Sequence, residues 1–468
     1  MKTNPLLLNR RDFVRRACCA AVGSTGLLSA LAQLRVMGAV AAGSSAMRTA
    51  TAASAADYKA LVCLFLQGGN DATNLLIPAD GANYAGYAKA RAELAVGQSS
   101  LLAMVPKKYS DGRSYALHPA ARELQSLFAS GKLAFLANVG TLVQPTTLAQ
   151  YNLGKALPPQ LFSHYDQVTQ WQSSIPDKPF TTGWGGRLAD ILNALNSNNQ
   201  ISMAISLSGA NSFQIGEQVT GYSVNSGGVT LLRDQPSAGF SPAPLYPVQK
   251  AILGGSSSNL LGAAFANTTL SALNNNEVLG GVLATAPALN TVFPGTPTGA
   301  NLSMIAKLIS VAPALGLKRQ IFFVQLGGFD SHHGQIDEHG PLLAETSAAM
   351  KAFYDATAEM GVANQVTTFT ASDFGRTYIP NSGGTDHGWG NHQMIMGGAV
   401  SGGDIYGTMP SLTVGADDDT GRGRWIPSTS VDEYNATLAT WFGVSQSNLA
   451  TVLPNIGRFA KPNLGFMG

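Results

Sequence analysis

Residues 321–334 read Ile321-Phe322-Phe323-Val324-Gln325-Leu326-Gly327-Gly328-Phe329-Asp330-Ser331-His332-His333-Gly334. Aliphatic and aromatic residues run with little polar alternation into a glycine pair and then an acid. A run of this kind predicts a strand buried on both faces. The glycines predict a tight exit, which leaves Asp330 just past the strand's carboxyl end. The same order recurs twice. Leu61-Val62-Cys63-Leu64-Phe65-Leu66 leads into Gln67-Gly68-Gly69-Asn70-Asp71, and Val366-Thr367-Thr368-Phe369-Thr370 leads into Ala371-Ser372-Asp373.

Helical patterns lie between these runs, over 119–127, 302–317 and 342–360, and 133–139 reads as a further strand. Strands alternating with helices imply right-handed crossovers. The fold class expected is α/β: a mostly parallel central sheet with helices on both faces. Ligands of such sheets bind beyond the carboxyl ends of the strands, where the three acids fall. Residues 196–300 are poor in charge and rich in Asn, Ser and Gly, with β character at 201–207 and 214–232, and are expected to form an inserted β region. The chain is therefore read as a leader, 1–55, and one domain, 56–468.

Of 468 residues, 12% are charged and 45% hydrophobic, a composition that supports a large core. Residues 1–55 hold seven basic groups and one acid; the rest hold 22 basic and 26 acidic, a net charge of −4. A nucleic-acid partner, which needs a basic face, is not expected. The leader has Arg10-Arg11-Asp12-Phe13-Val14, then an uncharged stretch, then small residues, with Ala53-Ser54-Ala55 as one cleavage candidate. This is the order of a twin-arginine signal, so the export machinery is an expected partner and the periplasm or exterior the expected location, with no stable membrane span after cleavage. Cys18 and Cys19 leave with the leader. Cys63 remains, inside an apolar run, and reads as a packing residue.

Four of the seven histidines fall in two clusters that also hold acids. The first is Asp330-Ser331-His332-His333. If the strand continues through them, Asp330 and His332 face one side. The second runs from Asp373-Phe374-Gly375-Arg376 through Thr385-Asp386-His387-Gly388 to Asn391-His392. Carboxylates and imidazoles without cysteine suit a hydrolytic divalent site. The candidate ligands are Asp71, Asp330, His332, Asp373, Asp386 and His387, for one or two ions of zinc, manganese, calcium or magnesium. Each acid has an alternative reading as a turn or helix cap. Arg376 is a candidate oxyanion clamp or a structural ion pair, and Thr73 a candidate nucleophile or a capping hydroxyl. His118 reads as a helix cap, His164 as a supporting or a surface residue, and His339 as solvated. No nucleophile elbow, phosphate loop or dinucleotide fingerprint is present.

Gly68-Gly69-Asn70-Asp71-Ala72-Thr73-Asn74, Leu117-His118-Pro119-Ala120, Ser163-His164-Tyr165, Gly328-Phe329-Asp330-Ser331-His332, Asp373-Phe374-Gly375-Arg376-Thr377 and Thr385-Asp386-His387-Gly388 occur in that order. Together with the leader they resemble the exported bacterial domain-of-unknown-function family 1501. That family is similar to the alkaline phosphatase and sulfatase superfamily. The resemblance implies an alkaline phosphatase-like sheet, a metal centre at the strand ends and hydrolysis of phosphate or sulfate esters. It matches Asp71, Asp330, His332, Asp373 and His387 to metal-motif positions. The chain departs from the superfamily at Phe374, which stands where a histidine is usual, in the short spacing of Asp330 and His332, and in lacking a clear nucleophile. The expectation is an exported metal-dependent ester hydrolase. The rival is a catalytically silent exported binding or assembly protein. An oxidoreductase fits the export route but has no cofactor motif.

Overall fold

The structure is a computed structural model that describes residues 57–197, 201–229, 245–255 and 258–468. The leader, with Arg10 and Arg11, lies outside the described residues. Among the described residues twelve strands follow in chain order: β1 Lys59–Leu66, β2 Leu76–Pro78, β3 Leu102–Ala103, β4 Tyr115–Leu117, β5 Leu133–Gly140, β6 Ala204–Ser206, β7 Tyr222–Ser223, β8 Arg319–Leu326, β9 Val366–Ser372, β10 Asn391–Gly397, β11 Ile405–Gly407 and β12 Thr429–Ser430. Nine form one sheet in the order β11-β5-β10-β9-β1-β8-β6-β7, with β12 on β5, and β2-β4-β3 form a small second sheet. The main sheet is parallel except at β10, which runs against both β9 and β5.

Period-two alternation sorts the central strands onto two cores. Ala60, Val62, Leu64 and Leu66 pack with Leu124 of helix Arg122–Ala129, Ile305 of helix Pro297–Ser310 and Phe353 of helix Gln335–Glu359. Leu61, Cys63 and Phe65 pack on the other face with Trp171 of helix His164–Ser173, Leu188 of helix Trp184–Leu192 and Leu438 of helix Val431–Phe442. Helices thus cover both faces, which is why β1 reads as a continuous apolar run. Cys63 is buried in this packing, and burial pushes its thiol pKa upward.

Several boundaries differ from those expected. The helix expected at 119–127 begins at Arg122, because His118–Ala121 form a turn in which Ala121 N–H donates to the His118 carbonyl. The helix expected at 302–317 starts at Pro297 behind a Thr296 cap and ends at Ser310, ahead of Pro313. The helix expected at 342–360 starts a further two turns earlier, at Gln335, after Gly334 at φ +67°. The Asp330–His332 segment is a loop, since β8 ends at Leu326. The β-rich insertion also differs: β6 and β7 are short and pair in parallel at the sheet edge beside β8, with no hairpin between them. Helices Leu245–Leu253 and Leu260–Leu283 fill much of the rest, in segments rich in the helix formers Ala and Leu.

The described residues divide into two units, the smaller of which includes residues 245–255 and 258–277. Within that smaller unit Tyr246 donates its hydroxyl to Glu277 Oε1 at 2.6 Å, and Lys250 Nζ lies 3.0 Å from Glu277 Oε2. Among the described residues no helix is long and apolar enough to cross a membrane.

Candidate metal centre

The sheet register places the three acid-bearing exits side by side. Leu66 at the end of β1 pairs with Leu326 of β8 on one side and Ser372 of β9 on the other. The three loops are then fastened to each other. Gln67 N–H donates to the Leu326 carbonyl and Phe329 N–H to the Gln67 carbonyl. Gly68 N–H donates to Asp373 Oδ1 at 2.9 Å. Gly68 sits at φ +115°, and a Cβ there would lie 2.4 Å from the Asp330 backbone nitrogen. Only glycine permits this approach.

Four side chains converge at this rim. His164, the first residue of its helix, brings its ring from one side. Its Nδ1 lies 2.7 Å from Asp373 Oδ2, and its Nε2 faces Asp330 Oδ2 at 3.4 Å. His332 Nε2 lies 3.1 Å from Asp330 Oδ1 and 2.9 Å from His387 Nε2. His387 Nε2 lies 3.3 Å from Asp330 Oδ1. Donor atoms of His164, Asp330 and His387 all fall within 4.8 Å of one another.

Each of the four has its own outer partner. Asp373, fully buried, holds His164. The Phe162 carbonyl accepts from His387 Nδ1 at 2.6 Å, which fixes the proton there and leaves Nε2 with a lone pair. Phe162 itself has φ +73°, an uncommon conformation for a bulky residue, and it aims this carbonyl. Asp386 Oδ1 stands 3.4 Å from His332 Nδ1. Arg376 donates to Asp330 Oδ1 at 2.9 Å. Phe374, the departure from the superfamily pattern, stacks on His387 at 4.6 Å between centroids and meets His164 at 4.7 Å. It is the apolar floor under two imidazoles.

The charge states follow from these contacts. Burial pushes the Asp330 carboxyl up, but the hydrogen bond and charge of Arg376 outweigh it and hold the group below the usual carboxylate range. The hydrogen bond to Asp373 draws the His164 pKa upward. Burial moves His387 downward, toward the neutral ring. The buried His164 Nε2 makes no hydrogen bond, and 3.4 Å to Asp330 is long for one.

Asp71 and Thr73 stand apart from this group. Asp71 is buried in an ion pair with Arg91 and accepts from Gln335 Nε2 at 2.5 Å and from the Thr73 hydroxyl at 2.6 Å. Arg91 also donates to the carbonyls of Thr377 and Tyr378. A carboxylate held this way has little capacity left for a cation, and the Thr73 hydroxyl is turned onto it. Asp71 reaches the rim through a relay: Gln335 Oε1 accepts from the Thr385 hydroxyl, and Thr385 Oγ1 accepts from Arg376 Nε. Arg376 has its fork filled by Asp330, Gly68 and Thr385, so it braces Asp330 and is not free to clamp an anion. Asp373 and Asp386 sit behind His164 and His332. His339, read as solvated, is buried; burial pushes its pKa down to about 4, and its Nε2 meets Asn70 Oδ1 at 3.0 Å. His164 was read from sequence only as a supporting or a surface residue. Its signal was the Ser163-His164-Tyr165 motif, which does not say which way the ring turns.

A family model described as "Protein of unknown function (DUF1501)" matches residues 311–449. That stretch carries Asp330, His332, Asp373, Arg376, Asp386 and His387. No curated protein matches the chain. Among solved structures it is similar to the PsFucS1 sulfatase from Pseudoalteromonas sp., at 11% identity, 83% of this chain, 68% of that chain and a TM-score of 0.35. It is also similar to Ps i-CgsB in complex with k-i-k-neocarrahexaose, at 12% identity, 86% and 77% coverage and a TM-score of 0.33. A Bacteroides thetaiotaomicron structure from the metabolism of multiple glycosaminoglycans matches at 8% identity, 83% and 73% coverage and a TM-score of 0.33. Similarity at this level assigns no residue's role here.

Proposed function

We propose that the protein is an exported metal-dependent hydrolase of phosphate or sulfate esters, with its cation held by His164, Asp330, His332 and His387. The spacing of the donors carries this reading. Donors bound at about 2.0–2.2 Å with tetrahedral to octahedral angles stand about 2.9–3.5 Å apart. The contacts of 2.9, 3.1 and 3.3 Å among His332 Nε2, His387 Nε2 and Asp330 Oδ1 lie in that range, and His164 Nε2 stands 3.4 Å from the other carboxylate oxygen. Three imidazoles and one carboxylate favour a zinc-class ion over calcium or magnesium, which prefer oxygen. The ester class comes from the family resemblance, and export from the twin-arginine leader.

Bound there, a divalent ion would polarise an ester oxygen and lower the pKa of a water. The protein's own part is placement. Asp373 and the Phe162 carbonyl set the rings of His164 and His387, Asp386 sets His332, and Arg376 sets Asp330. Asp330 is about half exposed, so the centre opens to solvent and substrate.

Metal analysis of the folded protein, followed by aryl phosphate and aryl sulfate assays across metals, tests the reading. Bound zinc and turnover abolished by His387→Ala support it. Only trace metal, unchanged in Asp330→Ala, refutes it. One observation favours the silent binding protein instead: the Thr73 hydroxyl is taken up by Asp71. Bound metal without turnover would select that reading.

A further inference from the structure

Four arginines surround the rim or its support, and three of them neutralise acids. Arg91 pairs with Asp71, Arg376 with Asp330 and Arg422 with Asp386. Arg424 has no ion-pair partner among the described residues. Its Nε donates to the backbone carbonyl of His387 at 2.8 Å. Its guanidinium lies over the Phe162 ring, 5.1 Å from the centroid. These are the residues that supply and orient one imidazole of the centre. Nη1 and Nη2 make no hydrogen bond to the described residues, and the side chain is half-buried.

The loop that carries Arg424 is built before any ligand arrives. Asp419 Oδ1 accepts from the N–H groups of Gly421, Gly423 and Arg424 at 2.7, 2.8 and 3.1 Å, and Oδ2 accepts from Gly415 N–H at 2.9 Å. Gly423 sits at φ +71°, where a Cβ would come within 2.3 Å of Tyr378 Cβ. The guanidinium is thus fixed at three points: its backbone, its Nε and its stacked face.

We propose that Arg424 is the specificity-determining clamp of the site, using its free Nη edge to hold the tetrahedral oxyanion of the substrate beside the cation. The proposal rests on the reading of the centre given above. An uncompensated guanidinium with two parallel donors matches phosphate or sulfate geometry, and water exclusion by Phe162 strengthens it. Arg376 cannot serve in this way, because its donors are filled.

Inorganic phosphate and inorganic sulfate are titrated into the full-length folded protein, with and without zinc, for the wild type, Arg424→Gln and Arg424→Lys. Arg424→Gln is expected to weaken anion binding about ten- to a hundredfold, in line with loss of a charge-assisted fork, in the titration without zinc as well as with it. Arg424→Lys recovers part of the loss, since charge returns without the fork. Equal anion affinity in wild type and Arg424→Gln overturns the proposal, as does a wild type that binds neither anion. Failure of zinc to bind would sink the centre alone, because the titration without zinc still reads the clamp.

Discussion

His332 Nε2 and His387 Nε2 stand 2.9 Å apart while the other nitrogen of each ring faces an oxygen, the Phe162 carbonyl for His387 and Asp386 Oδ1 for His332. Two imidazole lone pairs at that distance repel unless something positive lies between them. Either a shared proton or a cation satisfies the pair, and Asp330 Oδ1 lies within 3.3 Å of both. The cation reading makes the pair a point of measurement.

If both rings bind one ion, orienting groups matter nearly as much as ligands. Asp373→Asn keeps an oxygen for Gly68 N–H but replaces the acceptor for His164 Nδ1 with an amide nitrogen or forces the other tautomer. Zinc affinity is expected to fall about ten- to a hundredfold by calorimetry. Unchanged affinity would exclude His164 as a ligand.

Arg91 and Asp71 are 0% and 1% exposed, so removing one partner leaves a charge in the core. Arg91→Met should destabilise the fold by about 3–5 kcal/mol in urea titrations, and Asp71→Asn, which strands a guanidinium still hydrogen-bonded to the Thr377 and Tyr378 carbonyls, by less. Equal losses would contradict this account.

Asp432 is buried, its Oδ1 has no partner, and burial pushes its pKa up to about 8 despite Arg187. The folded state therefore keeps a proton that the unfolded chain releases near the ordinary carboxylate value. Its stabilising contribution is full below that value, declines as pH rises toward 8 and is flat above. Over that window the wild type should lose about 1.4 kcal/mol per pH unit relative to Asp432→Asn. Parallel stability curves for the two proteins would show the group is not protonated.

Gly68→Ala puts a methyl carbon against the Asp330 backbone. The strain costs about 1–3 kcal/mol, and relief by moving the loop displaces Asp330. Both the unfolding midpoint and zinc affinity should drop. A drop in stability alone would mean that the loop tolerates the methyl group.

Much of this was legible in the residues. The apolar runs at 61–66, 321–326 and 366–370 gave the three adjacent strands, because burial on both faces leaves no polar alternation. Asp330, His332 and His387 were legible as chemistry because they cluster in short glycine-rich loops. The sign of Asp71's role was not, since its partner Arg91 lies in a helix twenty residues away that carries no motif. His164 was hidden for the same reason: its nearest carboxylate, Asp373, is 209 positions distant. The helices of 245–283 escaped notice because Asn, Ser and Gly between the Ala and Leu residues suggested loops.

The donors hang from the loop after β8, the loop before β10 and the start of a helix, and apart from Asp330 and His332 they are far apart in sequence. If a cation binds there, its capture reports that β8, β10 and the His164 helix have come together. Loading would then be an inspection stamp: a molecule that holds an ion there has, by that act, brought its distant segments together.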